Sequence, residues 1–290
     1  PGAYDGLCPK AWKFYNGRWY AVLVPYTDNS NFNYTYKCYI GYLDTDMLTW
    51  VAGPPLPNGH YATGDAFYIE VDGSLVFAGR DSVGSGTSIR RFTSTLGDAV
   101  AITSTQLTTD QQAWGLWPFA GGYAVGLTNG NFYYVDSSLN ILGSRSYSPV
   151  TGYGAVPTGA SFGVWDTATS NDELLVRVDF TDYSADPHAT VDILGSDFAA
   201  KTFAPVYREA TQDFLVFNKS ANDLRSIEIW YSIDDANSFI RSSKVYLDET
   251  MTTSGGLGQY RRVYAGPDNK FLMLYLPAAT NKTKLVGFTI

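Results

Sequence analysis

Carboxylates and the scarcity of histidine set the chemistry open to this 290-residue chain. Its glutamates are Glu70, Glu173, Glu209, Glu228 and Glu249, and its histidines are His60 and His188. Glycoside hydrolysis needs only two carboxyl groups facing each other across the scissile bond. Asp65, Asp81, Asp166, Asp182 and Glu209 lie on or beside predicted inner strands and their loops; Asp65, Asp81, Asp182 and Glu209 are the candidate catalytic groups. Two histidines offer little material for a Ser-His-Asp triad or a histidine-rich metal cage. The acidic run Asp179-Phe180-Thr181-Asp182-Tyr183-Ser184-Ala185-Asp186-Pro187-His188 could hold a hard cation through Asp182 and Asp186, although its spacing matches no EF-hand loop. No glycine-rich phosphate loop opens a helix and no Cys-x-x-Cys pair exists, so no cofactor is expected.

The other chemistry is adhesive. Long polar segments at 26–35, 80–87, 181–188, 218–223 and 277–283 carry Asn, Asp, Ser, Thr and Tyr with few aliphatics. Such segments suit sugar or protein contact through adaptable hydrogen bonds and rigid aromatic area. Phe32 and Tyr34, two aromatics inside a polar loop, stand out; folding back onto the domain is the alternative for them. Tyr183, Arg208, Tyr260 and Arg261 complete the candidate binding set, and Trp114 and Trp117 read as core between repeats.

A net charge of −8 argues against a phosphate-tracking nucleic-acid binder. Arg90-Arg91 and Arg261-Arg262 are dipeptides that read as solvated strand ends. No apolar run approaches the roughly 18 residues of a membrane span. With only 17% charged residues and Tyr outnumbering Phe, the composition suits an extracellular or virion surface. Opening at Pro1, the sequence reads as a processed or excised piece. Cys8 and Cys38 could form one disulfide or stay as buried thiols.

Positioning these groups falls to strands. Asn16-Gly17, between aromatic and β-branched residues, is a hairpin turn whose central residues need positive φ. Related turns follow at 71–74, 120–123, 170–173, 211–213 and 267–270, each leading into an apolar strand. Third strands are expected at 37–43, 88–93, 131–135, 189–194, 226–231 and 284–289, with a second tight turn after the first five. A period of roughly 40–55 residues is that of a four-stranded propeller blade. The prediction is one all-β domain over 1–290, a six-bladed β-propeller of four-stranded antiparallel blades at 8–57, 58–109, 110–150, 151–203, 204–250 and 251–290. The sixth unit ends after its third strand, so residues 1–7 are expected to close it and cover a raw edge.

The plan of aromatic strand, Asn-Gly turn, apolar strand and a short acidic turn before Thr-Trp resembles the Asp-box repeats of sialidase-like propellers. In unit five, Ser232 and Asp234 fall on the box positions, with Ala236 in place of its Gly and Ser238-Phe239 in place of Thr-Trp. Unit one keeps Thr49-Trp50, with Asp44 and Asp46 straddling the Asp position. The family's Asp caps the turn between third and fourth strands, a structural role. Similar repeats occur in bacteriophage tail and adhesion proteins. A sialidase would also need an Arg-Ile-Pro segment, further arginines and a Tyr/Glu pair; Arg18 lacks that context. The expectation is therefore a non-catalytic virion or surface module contacting a glycan, a protein receptor or neighbouring virion proteins. The alternative is a propeller glycosidase using axial carboxylates.

Overall fold

The turn at Asn16-Gly17 forms as its composition demands, with φ of 44° and 79°, and the same left-handed pair recurs at Asp268-Asn269 with 54° and 56°. Around such turns the chain builds antiparallel meanders. The computed structural model describes residues 7–25, 38–44, 49–56, 66–80, 86–98, 100–146, 150–157, 159–167, 174–180, 188–192, 205–219, 223–232, 238–251, 262–275, 277–279 and 284–290.

Blade 1 holds β1 (Leu7–Tyr15), β2 (Arg18–Pro25), β3 (Tyr39–Leu43) and β4 (Trp50–Ala52). Blade 2 holds β5 (Phe67–Ile69), β6 (Leu75–Arg80), β7 (Thr87–Phe92) and β8 (Thr103–Gln106), and blade 3 holds β9 (Ala113–Phe119), β10 (Gly122–Leu127), β11 (Asn131–Asp136) and β12 (Ile141–Ser146). Blade 4 follows with β13 (Val150–Ala155), β14 (Phe162–Thr167), β15 (Leu174–Asp179) and β16 (His188–Asp192). Blade 5 is β17 (Val206–Arg208), β18 (Asp213–Lys219), β19 (Ser226–Ser232) and β20 (Ile240–Tyr246); blade 6 is β21 (Arg262–Ala265), β22 (Lys270–Tyr275) and β23 (Lys284–Thr289). Within each sheet, hydrogen-bonded order follows chain order, and every pairing is antiparallel. The chain is thus all-β, a six-bladed β-propeller. It divides into two compact units, Pro1–Ser146 with blades 1–3 and Tyr147–Ile290 with blades 4–6. No helix among the described residues is long and apolar enough to cross a membrane.

Blade 4 corrects the strand count read from sequence. The expected first turn at 170–173 is the second connection, because β14 pairs with β13 on one side and β15 on the other. The true first turn runs through Pro157 and Gly159, where Ala160 N donates to Pro157 O at 3.0 Å and Gly159 adopts φ 73°. The strand expected third at 189–194 is accordingly the fourth, β16. In blade 6 three strands are described. The expected closing segment lies outside the described residues except for Leu7, which pairs with Pro25 inside blade 1.

Burial falls from the second strand to the fourth in blades 2 and 3. In blade 2, β6 is buried along nearly its whole length and β8 alternates between half-buried and exposed; in blade 3, β10 is wholly buried and β12 is mostly exposed. A second strand covered on both faces reads as a continuous apolar run, which explains Leu75-Val76-Phe77-Ala78. Aromatic rings fill the gaps and glycines make room for them. A Cβ on Gly115 would stand 2.0 Å from the Trp117 ring, and Cβ atoms on Gly154 and Gly163 would meet the Trp165 indole at 2.2 and 2.5 Å. Trp114, Trp117 and Phe132 pack within blade 3 at centroid separations of 5.4–6.0 Å, as core aromatics do.

Candidate functional site

An antiparallel meander has two ends. First-to-second and third-to-fourth turns share one, here the turn end. Second-to-third loops and blade-to-blade connections share the other, the loop end.

At the turn end, side chains stitch blade 1 to blade 2, blade 2 to blade 3 and blade 5 to blade 6. Tyr15 Oη donates to Val71 O at 3.2 Å, joining blade 1 to blade 2. Between blades 2 and 3, Arg91 grips Glu70 with two parallel bonds, Nε to Oε2 at 2.9 Å and Nη2 to Oε1 at 3.0 Å. Tyr123 Oη also donates to Glu70 Oε1, and Arg91 Nη2 reaches Tyr123 Oη at 3.4 Å. Between blades 5 and 6, Arg208 forms a fork with Asp213 and donates to Asn269 Oδ1 at 3.3 Å.

The Glu70–Tyr123–Arg91 cluster unites a tyrosine, a carboxylate and an arginine, the residue types of a sialidase nucleophile pair. Its electrostatics point away from nucleophilic chemistry. Burial, followed by the hydrogen bond to Glu70, pushes the Tyr123 phenol well above its ordinary value. A nucleophilic phenol requires the opposite shift. Glu70 is occupied by its two donors, so the arrangement holds blades together. It also corrects the reading of Arg90-Arg91 as solvated strand ends: Arg90 is buried, and Arg91 faces blade 3 through Glu70 and Tyr123.

At the loop end, the blade 2-to-3 connection at 107–112 is fixed from both sides. Leu107 N donates to Thr87 O at 2.8 Å, and Thr87 Oγ1 donates to Gln111 O at 2.7 Å. From blade 3, Thr128 N donates to Gln112 O at 2.9 Å, and Thr128 Oγ1 donates to Gln111 Oε1 at 3.1 Å. With its amide oxygen facing the guanidinium, Gln112 accepts from Arg80 Nη1 and Nη2 at 3.0 and 3.2 Å. Thr108 Oγ1 donates to Asp110 Oδ1 at 3.0 Å. Gly86 lies so near that a Cβ would stand 1.6 Å from Thr108 O. The result is a braced platform of amides, hydroxyls and one guanidinium, with Thr109, Asp110 and Thr128 exposed. Such a surface can exchange hydrogen bonds with a polar ligand without reordering its backbone.

Of the candidate catalytic, binding, metal and disulfide residues read from sequence, Glu209, Arg208, Cys38 and the backbone of Cys8 fall among those described. Glu209 is exposed in the first turn of blade 5, beside the half-buried Arg208. Cys38 is buried, and the backbone of Cys8 pairs with Val24; the Cys8 side chain, and with it the proposed bridge, lies outside the described residues. Phe32, Tyr34, Asp65, Asp81, Asp182, Tyr183, Asp186, Tyr260 and Arg261 lie outside them too, as do the box positions 233–237. The backbone of Asp166 lies in β14, opposite Leu175. No group of three or more His, Cys, Asp or Glu that could hold a metal occurs among the described residues. Sequence reading passed over Gln111, Gln112 and Thr128; their one signal was a polar pair directly before the Trp114 strand. It likewise noted Glu70 as one of few glutamates without linking it to Tyr123.

The third-to-fourth turns of blades 2 and 3, which lack the box sequence, are each capped by an aspartate. Asp98 Oδ2 accepts Thr93 N at 3.1 Å and Ser94 N at 3.2 Å. Asp136 Oδ1 accepts Ser138 N and Asn140 N, both at 2.8 Å.

No family model matches the chain, and no curated protein matches it. Solved structures do. One is a protein from Lactobacillus plantarum, with TM-score 0.53 and 11% identity over 96% of this chain and 83% of that one. A second is a Bacteroides fragilis protein named for 6-phosphogluconolactonase activity, with TM-score 0.55 and 10% identity over 97% and 84%. TolB from Acinetobacter baumannii aligns with TM-score 0.50 and 10% identity over 93% and 66%. At such identities the likeness is one of fold, which does not carry function with it.

Proposed function

We propose that this chain is a non-catalytic surface module, of the kind that virion tail and adhesion components use, whose loop end contacts a glycan or a neighbouring protein. The observation that carries the reading is the braced platform of Arg80, Thr87, Gln111, Gln112 and Thr128, rigid in backbone and rich in donors and acceptors. The tyrosine–carboxylate cluster supports it from the other side, since its phenol is held protonated at the turn end. Phe32 and Tyr34 fall between β2 and β3 in the sequence, and on this reading they supply aromatic area for the ligand. An extracellular or virion location follows from this reading.

Glycan-array binding run beside hydrolysis assays on the same sugars tests it. Binding without turnover is expected, weakened by Gln112→Ala and by Phe32→Ala or Tyr34→Ala. Turnover abolished by replacing Asp65, Asp81, Asp182 or Glu209 would establish the glycosidase instead.

A further inference from the structure

We infer that the turn end of blades 2 and 3 is a docking face for a protein partner presenting aliphatic side chains among lysines or arginines. Solitary exposed apolar residues are ordinary; their confinement to one end is not. Among the described residues of the first unit, the large hydrophobics most exposed are Val71 at 94%, Val100 at 73%, Ile102 at 60%, Ile141 at 47% and Leu142 at 46%. All five belong to the turn end. Val71 sits in the β5–β6 turn, its carbonyl held by Tyr15, so its side chain is presented by a fixed backbone. Val100 and Ile102 lead into β8, where Ile102 N donates to Arg91 O at 2.9 Å.

Ile141 and Leu142 are presented by a backbone irregularity. Val135 pairs with Ile141 but Tyr134 pairs with Gly143, so Leu142 is an extra residue in β12. A regular strand sends neighbouring side chains to opposite faces, whereas a bulge re-aims one of them. Here two consecutive aliphatics are left in solvent.

Charge selects the occupant. The same turns carry Asp72, Asp98 and Asp136, each accepting hydrogen bonds from backbone N–H groups of its own turn. The cation of this end in blade 2, Arg91, is committed to Glu70. A second copy docking by the same face would set these carboxylates against each other, and an anionic membrane would meet the same repulsion. A basic, aliphatic protein surface meets neither. This face is distinct from the loop end, so the proposal stands or falls apart from the one above.

The full chain is titrated with two fluorescent peptides of equal length, one alternating valine with lysine and the other valine with glutamate. The lysine peptide is expected to bind and the glutamate peptide not to. Ile141→Ser/Leu142→Ser should weaken binding about tenfold. Asp136→Asn keeps the turn's acceptor, removes its charge, and should reduce the salt dependence of binding. Melting temperatures close to wild type for both variants certify the fold. Equal binding of the two peptides, no binding of the lysine peptide, or affinity unchanged in both variants would overturn the proposal. So would sedimentation showing a dimer of the chain that Ile141→Ser/Leu142→Ser dissolves.

Discussion

Replacing Tyr123 by Phe separates a stitch between blades from a nucleophile. The substitution keeps the buried ring and removes the hydroxyl that donates to Glu70. A hydrogen bond to a charged group contributes about 1.5–3 kcal/mol. The Arg91 and Glu70 side chains retain 16% and 23% exposure, so water can reach the freed carboxylate oxygen and the loss sits near the lower bound, about 1.5 kcal/mol. In a chain of this size that lowers the melting temperature by roughly 2–3 °C. The pH dependence supplies a second readout. Tyr123 has a folded pKa raised above its unfolded value, so its contribution is complete below about pH 10 and is lost as pH climbs beyond it. Calorimetric melts from neutral pH into the alkaline range should therefore show wild type losing stability more steeply than Tyr123→Phe. A variant that melts like wild type at neutral pH, with an identical alkaline slope, would refute the stitch. Loss of a hydrolytic activity without loss of stability would make Tyr123 a nucleophile.

In blade 5, burial pushes the Asp213 carboxyl up, but the hydrogen bonds from Arg208 and Thr211 outweigh it and leave the pKa lowered. Its stabilisation is present above about pH 4 and lost as pH falls through the lower folded value, so Asp213→Asn should flatten the acid limb of a stability–pH curve. Trp165→Ala empties the space between Gly154 and Gly163 and should cost about 3–5 kcal/mol in denaturant titrations. Gly86→Ala drives a Cβ into the Thr108 carbonyl and should cost about 1–3 kcal/mol while weakening ligand binding at the loop end.

The strand plan was legible because hairpin turns are local. Asn16-Gly17 and Asp268-Asn269 declare their positive φ in their side chains. Blade 4 was misread for the same reason. Its first turn is spread through Pro157 and Gly159, whereas Ser170-Asn171-Asp172-Glu173 imitates a tight hairpin. Contacts between blades leave no such trace. Glu70 and Tyr123 are 53 positions apart, and only the packing of β5 and β6 against β9, the strand paired with β10, brings them together. The Gln111–Thr128 brace depends likewise on the register of β9 with β10. The aspartate caps at Asp98 and Asp136 were missed because one oxygen placed near the turn's N–H groups suffices, without the remainder of a box motif.

Hydrogen exchange of the full chain with and without a glycan selected on the array tests the central claim most directly. The account predicts slowed exchange at 107–112 and 128–130, no change around Val71 and Ile141, and recovery of the sugar intact. Protection confined to the turn end, or release of a reducing sugar, would contradict it.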